Sequence, residues 1–380
     1  MRSTRTAIGL AAAGLTLSLT ACSGSATPAT TDAGTPAAAA PTSAAGGAAD
    51  LKGQTLNLYS WSEYIPQEAL DRFSDQTGVQ INYDTYASNE ELLAKLKAGG
   101  ANYDVIVPSD YLVGLMREEG LLTPLDKAKL ANVANLDSRF LDQQFDPGNQ
   151  FTVPYQWGTT GIVSNQAKVQ PPITSFADLW RADLKDRLVV LDDQREMLGI
   201  ALVQLGLDRN STDPDDLAKA RDKLIALKPN IRVFDSDSPK SQLLAGEVDA
   251  GVVYNGEAAL LERENPDFKY LLPADGCGVW FDNLAIPTGA PHPDVAHAFI
   301  DFMLAPEQSL LVTRDFPYSN PNTAGLKLLE AELPELHAAY QASAATNPSA
   351  EAVAKCQPVL DVGAALPIYG DMWTEVKGSR

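Results

Sequence analysis

The stretch NLYSWSEYIPQEAL, Asn57 to Leu70, decides how the rest of the chain is read. Leu56 to Tyr59, at its start, is apolar and β-favouring and predicts a buried strand. Its end predicts a helix over Pro66–Gln76, with Ile65, Ala69, Leu70 and Phe73 near one face and Gly78 past the terminus. Between them, at the strand-to-helix corner, stand Trp61, Glu63 and Tyr64, two large rings around a carboxylate.

Working outward, the strand–corner–helix unit recurs. Val79, Ile81 and Tyr83 alternate as a strand, and SNEELLAKLKAGG opens on Ser88 with Glu91 as a capping box and closes on Gly99 and Gly100. YDVIVPSDY, RLVVLDDQREMLGIALVQLG and VDAGVVYNGEAALLERE each read as a strand running into a polar corner, and TSFADLW offers Ser175 and Asp178 as another helix start. This alternation is that of an α/β protein. FTVPYQWGTTGIVSN and GVWFDNLAIPTGAP differ: extended, mixed in polarity and rich in Gly and Pro, they read as crossovers.

The N-terminus gives an address. Arg2 and Arg5 precede a 14-residue apolar run, Ile8 to Ala21, too short for the ~20 residues of a membrane span and suited to a secretory signal peptide. Leu-Thr-Ala-Cys at 19–22 resembles the bacterial lipobox, which implies cleavage before Cys22 and lipid attachment there. Residues 23–50, rich in Ala, Thr, Ser, Gly and Pro, cannot build a core and read as a disordered tether spanning ~30 Å on average.

About 330 residues remain, enough for two lobes. Without Arg2 and Arg5 the net charge of −20 becomes −22, which argues against nucleic acid or an anionic membrane surface as partner and suits a cationic one. Cys277 and Cys356 form an even pair in an exported chain and make a possible disulfide.

Ligands of open α/β sheets bind beyond the carboxyl ends of the strands. Here those positions carry Trp61, Ser62, Glu63 and Tyr64; Ser109, Asp110 and Tyr111; Asp192, Asp193 and Glu196; and Tyr254, while the second crossover adds Trp280 and Asp282. Aromatic faces attract ammonium groups and cover methylenes, and carboxylates accept charge-assisted hydrogen bonds from N–H donors. Together they suit a flexible cation with an apolar backbone. Taken singly, Asp110 and Asp192 fit helix N-caps, the preferred reading for Asp110, and Trp280 fits a core position. Agreement among five segments is what a purely structural account does not predict. His292, His297 and His337 lack metal-ligand spacing, no G-x-S-x-G elbow occurs, and DSDSPKSQLLAGE departs from a calcium loop at Lys240 and Gly246. Asp193 and Glu196 are the acids a carboxylate-dependent hydrolase would use, yet they lie three residues apart on one corner.

NLYSWSEYIP, TYASNEELLAKLKAG, YDVIVPSDYLVGLMREEGLL, LDDQREMLGIAL, WFDNLAIP and DVGAALPIYGDMWTEVK, in this order, resemble the bacterial polyamine-binding proteins of ABC importers from about Leu56 to Val376. The resemblance implies a type II periplasmic-binding-protein fold, each lobe a mixed sheet flanked by helices with the ligand cleft between. Lobe I is expected over 51–158 plus about 282–330, and lobe II over 159–281 plus about 331–380. It implies a ring box of Trp61, Tyr64, Tyr111, Tyr254 and Trp280, with Glu63, Asp193, Glu196 and Asp282 as acids and Ser62 and Ser109 as polar contacts. Asp193 and Glu196 would take one ammonium, Asp282 an inner amine, and Ser62 with Glu63 the far end. DFPYSNPN departs from the family pattern, leaving its tyrosine at Phe316 or displaced to Tyr318; Phe316 is taken as the site residue. Val359 or Leu360 stands where the family has glutamine.

The function expected is a monomeric, non-enzymatic receptor without cofactors that captures spermidine or putrescine and delivers it to a permease. It is expected to be exported and lipid-anchored at the cell envelope, on the outer face of the cytoplasmic membrane or in the periplasm. A binder of a betaine or guanidino compound is the alternative within the class, and a secreted hydrolase the alternative outside it.

Overall fold

The computed structural model describes residues 51–99 and 102–379. The expected signal peptide, Cys22 and the tether lie outside them. Among the described residues, ten strands are joined by hydrogen bonds: β1 (Thr55–Trp61), β2 (Gln80–Tyr86), β3 (Val105–Ile106), β4 (Thr152–Asn165), β5 (Leu188–Val190), β6 (Ile231–Phe234), β7 (Ala250–Tyr254), β8 (Phe268–Leu271), β9 (Cys277–Ala285) and β10 (Cys356–Pro358). Their order is β2-β1-β3-β9-β4-β7-β5-β6, with β8 beside β4 and β10 beside β9.

β1 is parallel to β2 and β3, and β5 is parallel to β6 and β7. Each end of the sheet is thus a small parallel α/β unit. The connection between them is made by β4 and β9, antiparallel from Thr152↔Ala285 to Thr160↔Gly278, with an irregularity between Pro154 and Gln156. These are the two segments whose mixed polarity marks them as crossovers. β9 reaches β3 at Ala285, and β4 reaches β7 over Thr160–Ser164.

Apolar side chains gather on either side of this crossing. Residues 56–155 and 280–329 supply one set, with Leu56, Phe73, Ile106 and Phe299 fully buried. Residues 162–270 and 345–376 supply the other, with Leu188, Leu224, Phe268 and Tyr369 at its centre. Each such side chain contributes about 1.5–3 kcal/mol by leaving water.

Local signals are mostly realised, with shifts. The first helix runs Gln67–Thr77, one residue later than the spacing predicts, because Pro66 is extended (ψ 133°) and serves as N-cap; Gly78, at φ 71°, ends it by donating to Ser74 O. Ser88 Oγ accepts the Glu91 N–H at 3.2 Å. TSFADLW does have its capping box, but it opens a 3₁₀ turn, Phe176–Trp180. Asp110 is not an N-cap: Ser109 holds that position, and Asp110 is buried as the first helical residue of Asp110–Glu118. Cys277 and Cys356 are bonded, Cα atoms 4.3 Å apart, where β10 lies in register beside β9. The bridge ties the C-terminal segment to a crossing strand.

Candidate functional site

Between the two sets of core residues is a cleft enclosing about 660 Å³, its open mouth included. Ten of the twelve expected residues line it: Trp61, Ser62, Tyr64, Ser109, Tyr111, Asp193, Glu196, Tyr254, Trp280 and Asp282. They arrive because β1, β5 and β7 and the turn after β3 all end there, while β9 passes through.

The rings form a chain packed edge to face. Tyr254 meets Trp280 at 5.8 Å between centroids, Trp280 meets Tyr318 at 5.6 Å, and Tyr318 meets Tyr64 at 5.1 Å. Two glycines make this possible. A Cβ on Gly158 would stand 2.4 Å from the Trp280 ring, and one on Gly256 would stand 2.5 Å from the Tyr318 ring. Trp61 is fixed separately, donating Nε1–H to Val107 O at 2.9 Å. These contacts lock ring orientation before any ligand arrives, which lowers the ordering cost of binding.

Asp282 is nearly buried on β9. Tyr64 Oη donates to its Oδ2 and Ser109 Oγ to its Oδ1, both at 2.6 Å. Ser109 is itself held by Asn89, whose Nδ2 donates to Ser109 Oγ at 3.0 Å. Burial outweighs these two hydrogen bonds and lifts the Asp282 carboxyl from its ordinary value to about 7. Near neutrality it therefore sits between protonated and charged.

Asp193 is held differently. It is the N-cap of the helix Gln194–Gln204, and its Oδ1 accepts the N–H groups of Arg195 at 2.8 Å and Glu196 at 2.9 Å. Its Oδ2 accepts from Tyr254 Oη at 2.9 Å, so the hydroxyl of Tyr254 is satisfied. Helix-terminal N–H groups and the helix dipole favour negative charge here.

Three expectations are corrected. Glu196 reaches the cleft wall, but Arg209 Nη2 donates to its Oε2 at 2.5 Å, and both side chains are almost fully buried. Glu196 is already paired and cannot share an ammonium with Asp193 on equal terms. Glu63 does not line the cleft: at φ 48° it turns its carboxylate away, toward Lys240 Nζ. Phe316 does not line it either; it packs against the first core, and Tyr318 takes the wall position.

Some wall residues carried no signal of their own. Arg195 lies between two acids in DDQRE, yet its guanidinium contributes to the wall, over the Tyr111 ring at 5.3 Å and the Tyr369 ring at 4.7 Å. Its Nη2 donates to Asn210 Oδ1 and Leu360 O. Ser236 and Asp237 come from the loop after β6, and Ser62 Oγ donates to Asp237 Oδ1 at 2.9 Å, joining the two sides at the mouth. Val359 stands on the wall where the family pattern leads to glutamine. Asp192 faces outward, accepting from Trp373 Nε1 and Lys377 Nζ. Chemically the cleft offers ring faces, the carboxylates of Asp193 and Asp282 and, at its mouth, that of Asp237.

Residues 68–346 match the family model described as bacterial extracellular solute-binding protein. The spermidine/putrescine-binding periplasmic protein of Salmonella typhimurium is 39% identical over 329 residues, covering 86% of this chain and 92% of that protein. The solved spermidine/putrescine ABC transporter substrate-binding protein of Streptococcus pneumoniae is 36% identical with a TM-score of 0.70, over 86% of this chain and 99% of that one. A lipoprotein of Treponema pallidum is 30% identical with a TM-score of 0.73, over 85% and 99%.

Proposed function

The chain belongs to the bacterial extracellular solute-binding proteins, and on that premise we propose that it is the receptor of an ABC importer for a polyamine of the spermidine/putrescine class. The observation that carries this reading is the pairing of Asp282 and Asp193 with an edge-to-face chain of rings along one cleft. A polyamine has ammonium groups for the carboxylates and methylenes for the rings. Asp282 takes the inner amine of spermidine or one end of putrescine, Asp193 a terminal amine, and Trp61, Tyr111, Tyr254, Trp280 and Tyr318 cover the chain. The two sides close about the ligand by hinge motion at β4 and β9, and the closed receptor presents its cargo to the permease. Binding alone fulfils this task, without covalent chemistry or cofactor.

The receptor acts outside the cytoplasm as a monomer held to the membrane through Cys22. The basic leader and Leu-Thr-Ala-Cys support the export and the anchor, as does the lipoprotein among the similar structures. Mass spectrometry of the envelope-bound protein tests the anchor: a diacylated Cys22 at the N-terminus is expected, and an unmodified chain released to the medium contradicts it.

Isothermal titration of the purified protein with spermidine, putrescine and glycine betaine tests the ligand class. Saturable binding of a polyamine at micromolar concentration is expected; its absence overturns the reading. One observation favours an amine bearing a carboxylate, such as a betaine: Arg195 Nε and Nη1 are buried without a hydrogen-bond partner in the protein. Binding of glycine betaine in preference to both polyamines would establish that alternative.

A further inference from the structure

Resting on the reading of the chain as a receptor whose two sides close by hinge motion, we propose that Glu63 and the Lys240–Glu257 pair form a latch across the mouth of the cleft, which slows entry and exit of the ligand with little effect on affinity. Ser62 and Glu63 follow β1, among the residues that build the first core, while Asp237, Lys240 and Glu257 fall among those that build the second. Two contacts therefore join one side to the other. Ser62 Oγ donates to Asp237 Oδ1 at 2.9 Å, and Lys240 Nζ donates to the Glu63 carboxylate. Both are made by the protein's own groups, and neither uses Asp193 or Asp282.

Each half of the latch is held on its own side. Lys240, on the short helix Pro239–Leu244, has its Nζ 3.3 Å from Glu257 Oε1. The Lys240 side chain is 13% exposed and that of Glu257 5%, so the pair is packed, unlike two mobile surface side chains. Burial opposes the charge on Lys240, but Glu257 and Glu63 outweigh it and raise its pKa, so the ammonium persists. Burial also lifts Glu257 to about 7, with Lys240 pulling against it. Of the two, we stand behind the charged lysine, since two acids share it. Across the mouth, Glu63 stands at φ 48°, a conformation unfavourable for a residue with a Cβ. Such conformations persist where surrounding contacts hold them, and they gather in clamps and switches. Here the conformation turns the carboxylate off the cleft wall and onto Lys240.

The consequence is kinetic. A bond between the two sides exists only while they are together, so it stabilises the closed receptor with ligand and without. It must break before a ligand enters or leaves. Removing it raises both rate constants, and because the filled and the empty closed states lose the same stabilisation, the ratio of the rates moves little. A residue that touched the ligand would instead act mainly through faster release.

Stopped-flow tryptophan emission, read from Trp61 and Trp280 in the cleft wall, gives both rate constants for putrescine. It is measured on the intact protein, on Glu63→Gln, on Lys240→Met with Glu257→Gln, and on the exposed-site control Lys327→Met. Glu63→Gln leaves the Lys240–Glu257 pair in place, and the double variant leaves neither of those charges buried alone. Both should raise association and dissociation rate constants together by at least about threefold, with Kd within about fivefold of wild type and control. Dissociation unchanged in both variants, or faster dissociation with association unchanged, overturns the latch. Small-angle scattering of the unliganded protein supplies a readout that needs no polyamine. Ser62→Ala with Glu63→Gln should have a larger radius of gyration than wild type, and superposable curves overturn the latch. Failure of every form to bind putrescine or spermidine overturns the polyamine reading, and the scattering comparison then decides the latch by itself.

Discussion

Asp282 and Asp193 face the same cleft, and the protein treats them in opposite ways. Asp193 is an N-cap, fed by two backbone N–H groups and one tyrosine hydroxyl. These donors hold its carboxylate in place whether or not a ligand is bound. Asp282 has two hydroxyl donors and deep burial, and its carboxyl is pushed up to about 7. Its charge is completed only by a cation from outside. One carboxylate helps hold the lobe together, while the other stores an unmet demand that a ligand ammonium meets.

The largest effect that can break this contrast is truncation. Asp282→Ala and Asp193→Ala should each lose about 2–5 kcal/mol of polyamine binding, as when one partner of a desolvated charge pair is removed. Calorimetry that finds either change neutral for binding excludes that residue from the site.

The pH dependence comes next. The folded-state value of Asp282 is above its ordinary one, so the unliganded fold takes up a proton between about pH 4 and pH 7 and loses stability as pH rises through that window. Ligand binding needs the charged form and has the reverse dependence. Affinity should fall about tenfold between pH 8 and pH 6, one pKa unit being a factor of ten. Proton release on binding should appear at pH 6 in calorimetry run in buffers of different ionisation enthalpy. A flat profile in Asp282→Asn and a sloping one in Asp193→Asn would assign the effect to Asp282.

Stability separates the two acids further. Asp193→Ala removes a helix cap and should cost about 1 kcal/mol in denaturant unfolding of the unliganded protein. Asp282→Asn removes a carboxyl that is costly to ionise when buried, and should leave that stability unchanged or higher at pH 8. The smallest effect is expected at Glu63, which the structure turns out of the cleft. Glu63→Ala should change putrescine affinity by less than about 1 kcal/mol, as for a partly exposed ion pair.

Much of this was legible in the chain. Trp61, Tyr64, Tyr111, Asp193, Tyr254, Trp280 and Asp282 could be found because rings and acids fall at strand ends and on a crossover, and the sheet brings those positions together. What escaped depended on geometry that spacing does not encode. Glu63 adopts a left-handed backbone conformation that few non-glycine residues take, which reverses the direction of its side chain. Glu196 is matched by Arg209, beyond the far end of its own helix. Tyr318 displaced Phe316 because Gly256 leaves room for its ring. Lys240 reads as a flaw in a metal loop until Glu63 and Glu257 are seen around it.

The most direct test of the account is a crystal structure of the protein grown with putrescine. One ammonium should lie within about 3 Å of an Asp282 oxygen and the other within the same distance of Asp193, with Trp280 and Tyr318 against the methylenes. A ligand bound outside the cleft, or one whose ammonium groups avoid both aspartates, would contradict it.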